Sequence, residues 1–326
     1  MELKNKTVLI SGGAGAIGSN LVKRLINDFK CEVIVVDDLS SEHNCLGDLK
    51  DEVYFYHTSI LNDDMMDKIF ASHNINVVFH LAALFANQKS VDQPKEDLMV
   101  NGMGTLKILQ YAYKYHIDRV IFTSSSCVYG NKDIEDKEDD YEVNLDTPYA
   151  ITKLLGEKYC DYFYHHYGVN TVVLRVFNCY GPGEKPGKYR NVIPNFFKSA
   201  LNKRILTVYG TGEETRSYTY VDDTIEMIIK AAIIGDAVGQ IINIGTDVET
   251  KTIDLANKIN NLCNNTDNIT YIPQRGWDTI KRRKANIDKA KKILEYKPLT
   301  ELDEGLRKTY DWFIKNPDLW KDKNES

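Results

Sequence analysis

A tyrosine and a lysine stand four positions apart in the stretch TPYAITK, residues 147–153. On a helix, Tyr149 and Lys153 would share one face, because side chains at positions i and i+4 are neighbours. A free tyrosine has a pKa of about 10, too high for a base at neutral pH, but a nearby lysine ammonium favours the phenolate. The pair therefore has the chemistry of a general base. Since the chain contains 20 tyrosines, the same spacing also arises by chance on an ordinary amphipathic helix.

A second candidate for chemistry is the glycine-rich stretch SGGAGAIGS, residues 11–19. It follows a short apolar run and opens a helical pattern, so its glycines allow a tight turn and the helix start offers free N–H groups to a diphosphate. Asp37 ends the next apolar run, where a carboxylate can bind both hydroxyls of an adenosine ribose. The same carboxylate would repel the 2′-phosphate of NADP. The sequence therefore predicts a dinucleotide site that prefers NAD.

Strands that alternate with helices are needed to position these residues. Short, continuous β-branched runs are typical of strands buried on both faces, and helices between them imply right-handed crossovers in a parallel sheet. We therefore predict an α/β fold, a Rossmann-type doubly wound parallel sheet with a smaller C-terminal substrate domain. The predicted strands are 7–11, 32–37, 53–58, 76–81, 119–124 and 170–176, and the predicted helices between them are 16–29, 62–73, 95–116 and 148–167.

The regular alternation breaks at a Gly- and Pro-rich stretch, residues 178–191. We predict that residues 1–176 form an NAD-binding Rossmann domain, to which residues 219–247 return. Residues 177–326 would form mainly the substrate domain. Later helices are predicted at 192–202, 222–234, 252–264 and 301–315.

Composition excludes several classes of function. With 326 residues, 43% of them hydrophobic, and a net charge of −6, the chain reads as a soluble globular protein without a basic surface for nucleic acid. No stretch approaches the ~18 apolar residues of a membrane span, and the N-terminus lacks a signal-peptide core, which predicts a cytoplasmic protein with no membrane partner. The six cysteines are scattered, with no Cys/His cluster at metal-ligand spacing, so no metal site is predicted.

Four motifs occur in the order GGAGAIG (12–18), HLAA (80–83), FTSSSCVYG (122–130) and YAITK (149–153). On these motifs the chain resembles the extended branch of the short-chain dehydrogenase/reductases, the sugar-nucleotide epimerase/dehydratase family. The resemblance covers essentially the whole sequence and is greatest to the UDP-galactose 4-epimerase branch. It implies an NAD-dependent enzyme that binds a nucleotide sugar and forms a homodimer through its helices 95–116 and 148–167.

The resemblance also implies catalytic roles. In the family, the tyrosine of the Tyr/Lys pair is the base beside the nicotinamide, and Tyr149 and Lys153 match that pair. Ser125 matches the family's catalytic serine, which hydrogen-bonds the sugar hydroxyl that loses its proton. The alignment could be shifted by one residue, in which case Ser124 or Ser126 would be the catalytic serine.

The two residues after Ser125 bear on the reaction. Dehydratases of the family carry Asp-Glu there to expel the 6-hydroxyl, and the related decarboxylases usually keep the Glu, whereas this chain has Ser126 and Cys127. The resemblance therefore implies an epimerase, most simply a UDP-hexose 4-epimerase that oxidises the sugar C4 to a transient 4-ketose and reduces it again from the other face. The alternatives are a nucleotide-sugar dehydratase or oxidoreductase, and a non-catalytic NAD-binding protein.

Further contacts are carried over by position. The cofactor contacts implied are Gly12, Gly15, Ala16, Ile17, Gly18, Asp37, Asp38, Ile60, Leu81, Ala82, Ala83, Asn101, Tyr149, Lys153 and Phe177. The substrate contacts implied are Ser125, Asn178, Asn191, Arg216, Arg275 and Asp278. Paired arginines suit a diphosphate, because guanidinium binds phosphate bidentately. A residue over the sugar falls near Arg282 or Arg283, which suits a negatively charged sugar, but Gly183 stands where many glucuronate-processing relatives have arginine, so no sugar is predicted.

Overall fold

The computed structural model describes residues 1–41, 44–130, 145–265, 269–278 and 280–321. In chain order, the first elements are β1 (Thr7–Ser11), α1 (Ala16–Phe29), β2 (Glu32–Asp37), a 3-10 helix (Gly47–Glu52), β3 (Tyr54–His57), α2 (Asp63–Ser72), β4 (Val77–His80), α3 (Asn87–Asp92), α4 (Pro94–Asp97), a π-helix (Leu98–Met103), α5 (Gly104–Lys114), β5 (Arg119–Ser125), a 3-10 turn (Ser126–Tyr129), α6 (Pro148–Tyr167) and β6 (Thr171–Val176).

The later elements are shorter and less regular. They are β7 (Cys179–Tyr180), α7 (Val192–Leu201), β8 (Leu206–Tyr209), β9 (Thr215–Arg216), β10 (Thr219–Tyr220), α8 (Val221–Ile233), a 3-10 helix (Gly235–Ala237), β11 (Ile241–Ile244), β12 (Thr250–Lys251), α9 (Thr252–Leu262), β13 (Ile269–Ile272), β14 (Arg282–Arg283), α10 (Asp288–Ile293), α11 (Leu302–Lys315) and a 3-10 helix (Pro317–Leu319).

Seven parallel strands form the central sheet, in the order β11-β6-β5-β4-β1-β2-β3. The strand order reverses between β1 and β4, and ligands of such sheets bind at the carboxyl ends of the strands beside that point. The sheet confirms the predicted Rossmann-type α/β fold. Its seventh strand, β11, comes from late in the chain and pairs with β6, Ile242 opposite Leu174.

Successive residues of each strand face opposite hydrophobic clusters. In β1, Val8 and Ile10 pack in the cluster that includes α1 and α8, whereas Leu9 packs in the cluster that includes α2 and α5. Side chains of a strand alternate between the two faces of the sheet. Because both faces are covered by helices, the strands are continuously apolar, and this is the pattern that predicted them.

The predicted helix 95–116 is divided in the structure. The chain makes a short helix, α4, then a π-helical segment, and then α5. Gly104 begins α5, and a Cβ atom there would require the end of the Ile60 side chain to shift. π-helical segments are rare and often lie near functional sites. None of the helices in the described part of the chain is long and apolar enough to cross a membrane.

Candidate active site

The turn between β1 and α1 forms a cradle of backbone. Gly12 has φ of +75°, and a Cβ atom there would come within 2.7 Å of the backbone nitrogen of Ala82. A Cβ atom at Gly18 would collide with the carbonyl oxygen of Gly12. Gly15 precedes α1, and no side chain among the described residues caps this helix. The first N–H groups of α1 are therefore available to an anion.

Asp37 lies at the carboxyl end of β2, beside this turn. Its carboxylate accepts hydrogen bonds from the backbone N–H groups of Ala14 and Leu39, each at 2.9 Å. Burial raises the pKa of Asp37, and the two backbone hydrogen bonds oppose that shift. The sequence thus fixes both the position and the orientation of a carboxylate at the edge of the sheet.

A cavity of about 410 Å³ follows the carboxyl edge of the sheet. It brings together most of the predicted cofactor contacts with the predicted catalytic group. The predicted residues that line it are Gly12, Gly15, Ala16, Ile17, Gly18, Asp37, Asp38, Ile60, Leu81, Ala82, Ala83, Ser125, Tyr149, Lys153, Asn178, Asn191 and Arg275.

Two predicted cofactor contacts stand behind the cavity wall instead. Phe177 is fully buried and its backbone N–H donates to the Ile244 carbonyl at 3.0 Å, because β11 pairs beside it. Asn101 lies in the π-helical segment, where its Oδ1 accepts from the Leu84 N–H and its Nδ2 donates to Asp97, each at 2.7 Å. Neither is among the described residues that line the cavity. Asn101 instead fixes the backbone at Leu84, next to Ala83.

The helix that carries the Tyr/Lys pair begins at a fixed point. The Thr147 hydroxyl caps α6 by accepting from the Ala150 N–H at 3.3 Å, and Pro148 occupies the first helical position, where its missing N–H costs nothing. The backbone N–H of Tyr149 donates to the buried hydroxyl of Ser90 at 3.1 Å. Local sequence and one long-range hydrogen bond therefore hold the tyrosine at the start of the helix.

The predicted catalytic residues meet on this helix. Lys153 is buried and its Nζ donates to the Thr123 carbonyl at 2.8 Å, 5.7 Å from the centroid of the Tyr149 ring. The side chain of Ser125, at the end of β5, lies beside the phenol of Tyr149 and lowers its pKa. A hydroxyl, a phenol and an ammonium thus converge at one place in the cavity wall.

Burial dominates the acid–base properties of this group. It raises the pKa of Tyr149 above its usual range, the nearby Cys127 thiol adds to that shift, and the hydrogen bond from Ser125 lowers the pKa. Burial also lowers the pKa of Lys153 to about 8. The expectation was that Lys153 together with the positive nicotinamide of NAD⁺ favours the phenolate, and, in the protein without cofactor, burial has the larger effect on the pKa of Tyr149.

The structure distinguishes between neighbouring serines. Ser124 donates to the carboxylate of Glu157, which forms a bidentate ion pair with Arg175 at 2.9 and 2.7 Å. Arg175 is fully buried, and Glu157 almost so. Ser124 also lines the cavity, but its hydroxyl is occupied by the bond to Glu157, whereas Ser125 lies beside Tyr149. This geometry supports the register of the family resemblance.

A second cavity, of about 800 Å³, adjoins the first and shares Asn178, Asn191 and Arg275 with it. Arg216 and Asp278 line this second cavity, with Arg216 Nη2 3.6 Å from Asp278 Oδ1. The structure therefore brings the remaining predicted substrate contacts to the far end of the same cleft. Two cationic groups near one wall suit a diphosphate.

Arg275 is held between two aromatic rings. Its guanidinium lies 4.4 Å from the ring centroid of Tyr209 and 5.7 Å from that of Trp277. The Trp277 Nε1 donates to the side-chain oxygen of Gln88 at 2.7 Å. The loop that carries Arg275 therefore reaches across the cleft to α3.

The two arginines expected near the sugar have other environments. Arg282 forms a bidentate ion pair with Glu249, at 2.8 and 2.6 Å. Arg283 is buried. Neither belongs to the described residues around the two cavities.

A profile of the NAD dependent epimerase/dehydratase family matches residues 8–245 of the chain. The chain belongs to this family. A UDP-N-acetyl-alpha-D-glucosaminuronate decarboxylase of Bacillus cytotoxicus is 35% identical, over 94% of this chain and 98% of that protein. A UDP-glucose 4-epimerase of Mycolicibacterium smegmatis is 33% identical, over 94% and 97%. The structure of an epimerase from Methanothermobacter thermautotrophicus is 43% identical, with a TM-score of 0.94 over 97% of this chain and 94% of that one.

Membership of the epimerase/dehydratase family confirms the predicted resemblance and the predicted cofactor, NAD. The glycine cradle fits a diphosphate, since no Cβ atom can occupy the space at Gly12. Asp37 fits a ribose, since its carboxylate stands at the end of β2 beside the cradle. Among the described residues, no group of three or more His, Cys, Asp and Glu side chains could hold a metal ion.

Sequence reasoning missed several residues of the cleft. Glu184 is buried in the wall, and its carboxylate accepts from the Asn191 side chain at 2.8 Å. Burial raises the pKa of Glu184 to about 7, and the charge of Arg190 opposes that shift. A glutamate in a Gly- and Pro-rich loop reads as solvent-exposed, so the sequence carried no signal for it. Gln88 was equally hidden, because its role depends on a contact with a distant tryptophan.

Proposed function

We propose that the chain is an NAD-dependent nucleotide-sugar 4-epimerase that acts on a UDP-hexose. The observation that carries this proposal is the meeting of Ser125, Tyr149 and Lys153 in a cavity wall where the next residues are Ser126 and Cys127. Elimination of a sugar hydroxyl needs a proton donor such as the Asp-Glu of the related dehydratases. Ser126 and Cys127 supply no carboxylic acid, whereas epimerisation needs only the reversible removal of one hydroxyl proton.

The proposed mechanism uses few groups of the protein. NAD⁺, when bound, supplies a hydride acceptor and a positive charge. Ser125 holds the sugar C4 hydroxyl by a hydrogen bond, and Tyr149 removes its proton as C4 is oxidised. The Lys153 ammonium, one helical turn away, stabilises the phenolate form of Tyr149 that accepts this proton. The 4-keto sugar rotates within the cavity so that its other face is presented to the hydride donor. Tyr149 returns the proton when C4 is reduced from that face.

A second candidate is decarboxylation of a nucleotide-sugar acid. It is favoured by the 35% identity to the Bacillus cytotoxicus decarboxylase. Oxidation at C4 makes a sugar acid a β-keto acid, so the same tyrosine and serine would serve the first step. Release of carbon dioxide, in place of an epimer, would identify this reaction.

The reaction can be tested by incubating the protein with UDP-glucose, UDP-N-acetylglucosamine, UDP-glucuronate and dTDP-glucose, followed by NMR of the anomeric protons. We expect the signal of a C4 epimer to grow to a constant ratio, without net formation of NADH. A product formed by loss of water would indicate a dehydratase, and one formed by loss of carbon dioxide would indicate a decarboxylase, in place of the proposed epimerase. Absence of any product from NAD-loaded protein would favour a non-catalytic role.

We further propose that Asp37 selects NAD over NADP. Replacing Asp37 with asparagine removes the charge that repels a 2′-phosphate and weakens the hydrogen bonds to the ribose, each worth ~1.5–3 kcal/mol with a charged acceptor. We expect NAD affinity to fall by ~10-fold or more and NADP affinity to rise, as measured by calorimetric titration. Asp48→Asn, an exposed carboxylate outside the cavity, is the matched control. Equal affinity of the wild-type protein for both cofactors would contradict the proposal.

The helices beside the site also present an apolar surface. Leu98, Met99 and Met103 are 40–50% exposed on the segment that leads into α5, and Ile151 and Tyr162 are 51% and 46% exposed on α6. The two helices pack against each other. Exposed apolar side chains grouped in this way are typical of a protein–protein interface. We propose a homodimer in which each protomer contributes these two helices.

Ile151→Glu should convert the dimer to a monomer, because a symmetric interface receives the new charge twice. Light scattering at micromolar concentration measures the mass, and circular dichroism checks that the fold is intact. Ile205→Glu is the control, since Ile205 is 56% exposed just before β8, away from these helices. A wild-type monomer under the same conditions, or an unchanged mass for Ile151→Glu, would count against the dimer.

A further inference from the structure

Arg283, at the end of β14, holds both ends of the turn that follows Ser125. Its side chain is buried, with 3% of its surface exposed. The Nη1 group donates to the Ser126 carbonyl at 2.7 Å, and the Nη2 group donates to the Gly130 carbonyl. A guanidinium has a rigid, planar fork of donors. One side chain therefore fixes the distance between Ser126, which begins the turn, and Gly130, which follows it.

The geometry of this turn sets the position of Ser125. The Ser125 hydroxyl accepts from the N–H of Cys127 at 3.2 Å, within the turn, and lies beside the phenol of Tyr149. The far end of the turn is fixed as well, because the Tyr129 hydroxyl donates to Asn243 at 2.7 Å. A shift of the turn would therefore move the Ser125 hydroxyl relative to the phenol.

Arg283 also acts on the start of the catalytic helix. Burial raises the pKa of Asp146, and the positive charge of Arg283 opposes this shift, so the two side chains attract each other. Asp146 immediately precedes Thr147, the residue that caps α6.

The strand that carries Arg283 is paired with the strand of a predicted substrate contact. In the parallel pairing of β14 with β9, Arg283 lies opposite Arg216, and the Ser217 N–H donates to the Arg283 carbonyl at 3.2 Å. Arg216 lines the second cavity, whereas the described lining of both cavities leaves out Arg283. Arg283 therefore reaches the site through the turn and not by contact with the substrate.

We propose that Arg283 is a positioning residue, which aligns Ser125 with Tyr149 and connects that alignment to the substrate-binding strand β9. The proposal rests on the roles proposed above for Ser125 and Tyr149. Arg282 offers a matched control, because it is the preceding residue of the same short strand and its guanidinium is bound to Glu249.

The first test is independent of the reaction. Hydrogen exchange of the NAD-loaded protein, followed by mass spectrometry, measures protection of the peptide that covers residues 119–130. We expect faster exchange in Arg283→Met than in wild type, and wild-type exchange there in Arg282→Met. Arg283→Lys should be intermediate, since one ammonium cannot reproduce the fork. Unchanged protection in Arg283→Met would overturn the proposal even if the preferred substrate were still unknown.

The second test separates positioning from binding and from stability. With a nucleotide sugar that the wild-type protein converts, whatever the product, Arg283→Met should lower kcat by ~10–100-fold, because small displacements of reacting groups have effects of that size. KM and NAD affinity should change by less than about threefold, and Arg283→Lys should recover part of kcat. A raised KM with unchanged kcat would overturn the proposal in favour of direct substrate contact. Equal losses in Arg282→Met would overturn it in favour of a general effect on β14.

Discussion

Replacing Tyr149 with phenylalanine should lower the rate of turnover by ~10²–10⁴ and leave the fold and NAD binding nearly intact. Only one hydroxyl is lost, and the contact that fixes this residue, from its backbone N–H to Ser90, does not involve that hydroxyl. The measurement is kcat at saturating nucleotide sugar, with thermal unfolding and calorimetric NAD binding as checks on the fold.

A serine series provides the controls for this result. Ser125→Ala should slow turnover less than Tyr149→Phe, because it removes an orienting hydrogen bond and not the base. Ser126→Ala should have little effect on rate. Ser124→Ala should act mainly on stability, since the Ser124 hydroxyl is bound to the buried carboxylate of Glu157. Near wild-type turnover in Tyr149→Phe would show that the Tyr/Lys pair is a coincidence of helical spacing.

Replacing Glu157 with alanine should destabilise the protein by ~3–5 kcal/mol, the usual effect of removing one partner from a buried ion pair. Arg175 would lose both hydrogen bonds to the carboxylate while its guanidinium stayed fully buried. The free energy of unfolding, obtained from equilibrium denaturation in urea, measures the effect. Bound NAD stabilises the native state of both proteins, so the two denaturation curves are compared without added cofactor.

An exposed ion pair is the matched control for Glu157. Lys258 and Asp303 are 2.6 Å apart, with 39% and 73% of their side chains exposed. Asp303→Asn should change stability by less than about 1 kcal/mol, because water solvates both charges. A double variant, Glu157→Leu with Arg175→Met, should recover much of the loss. If Glu157→Ala lowered the free energy of unfolding by no more than Asp303→Asn does, the buried ion pair would contribute no more to stability than an exposed one.

The sheet and the glycine turn were predictable because their causes are local. A continuous apolar run such as Thr7–Ser11 has to be covered on both faces, and glycine is required wherever a Cβ atom would collide, as at Gly12. The pairing of Tyr149 with Lys153 is likewise a property of one helix. These features need only the residue types and their spacing.

Other features depend on contacts between distant segments. The π-helical segment is accompanied by the bond from the Leu84 N–H to Asn101, 17 residues apart, which no helical periodicity reports. The burial of Phe177 depends on the pairing of its amide with Ile244, in a strand that returns much later in the chain. The pKa of Tyr149 depends on how far the surrounding chain excludes water, which is a property of the folded molecule alone.

The late position of β11 bears on how the protein is synthesised. The first six strands of the sheet are complete in the chain at Val176, but β6 is covered only when Ile241–Ile244 has been made. Until then β6 is an unpaired edge strand of the nascent chain, although nearly all of its residues are buried in the folded protein. Unpaired apolar edge strands promote aggregation. A fragment that stops after β6 should therefore be prone to aggregate, whereas in one extended through β11 the β6 edge is paired. The order of translation thus makes chaperone protection most valuable during synthesis of the 64 residues (177–240) between those two strands.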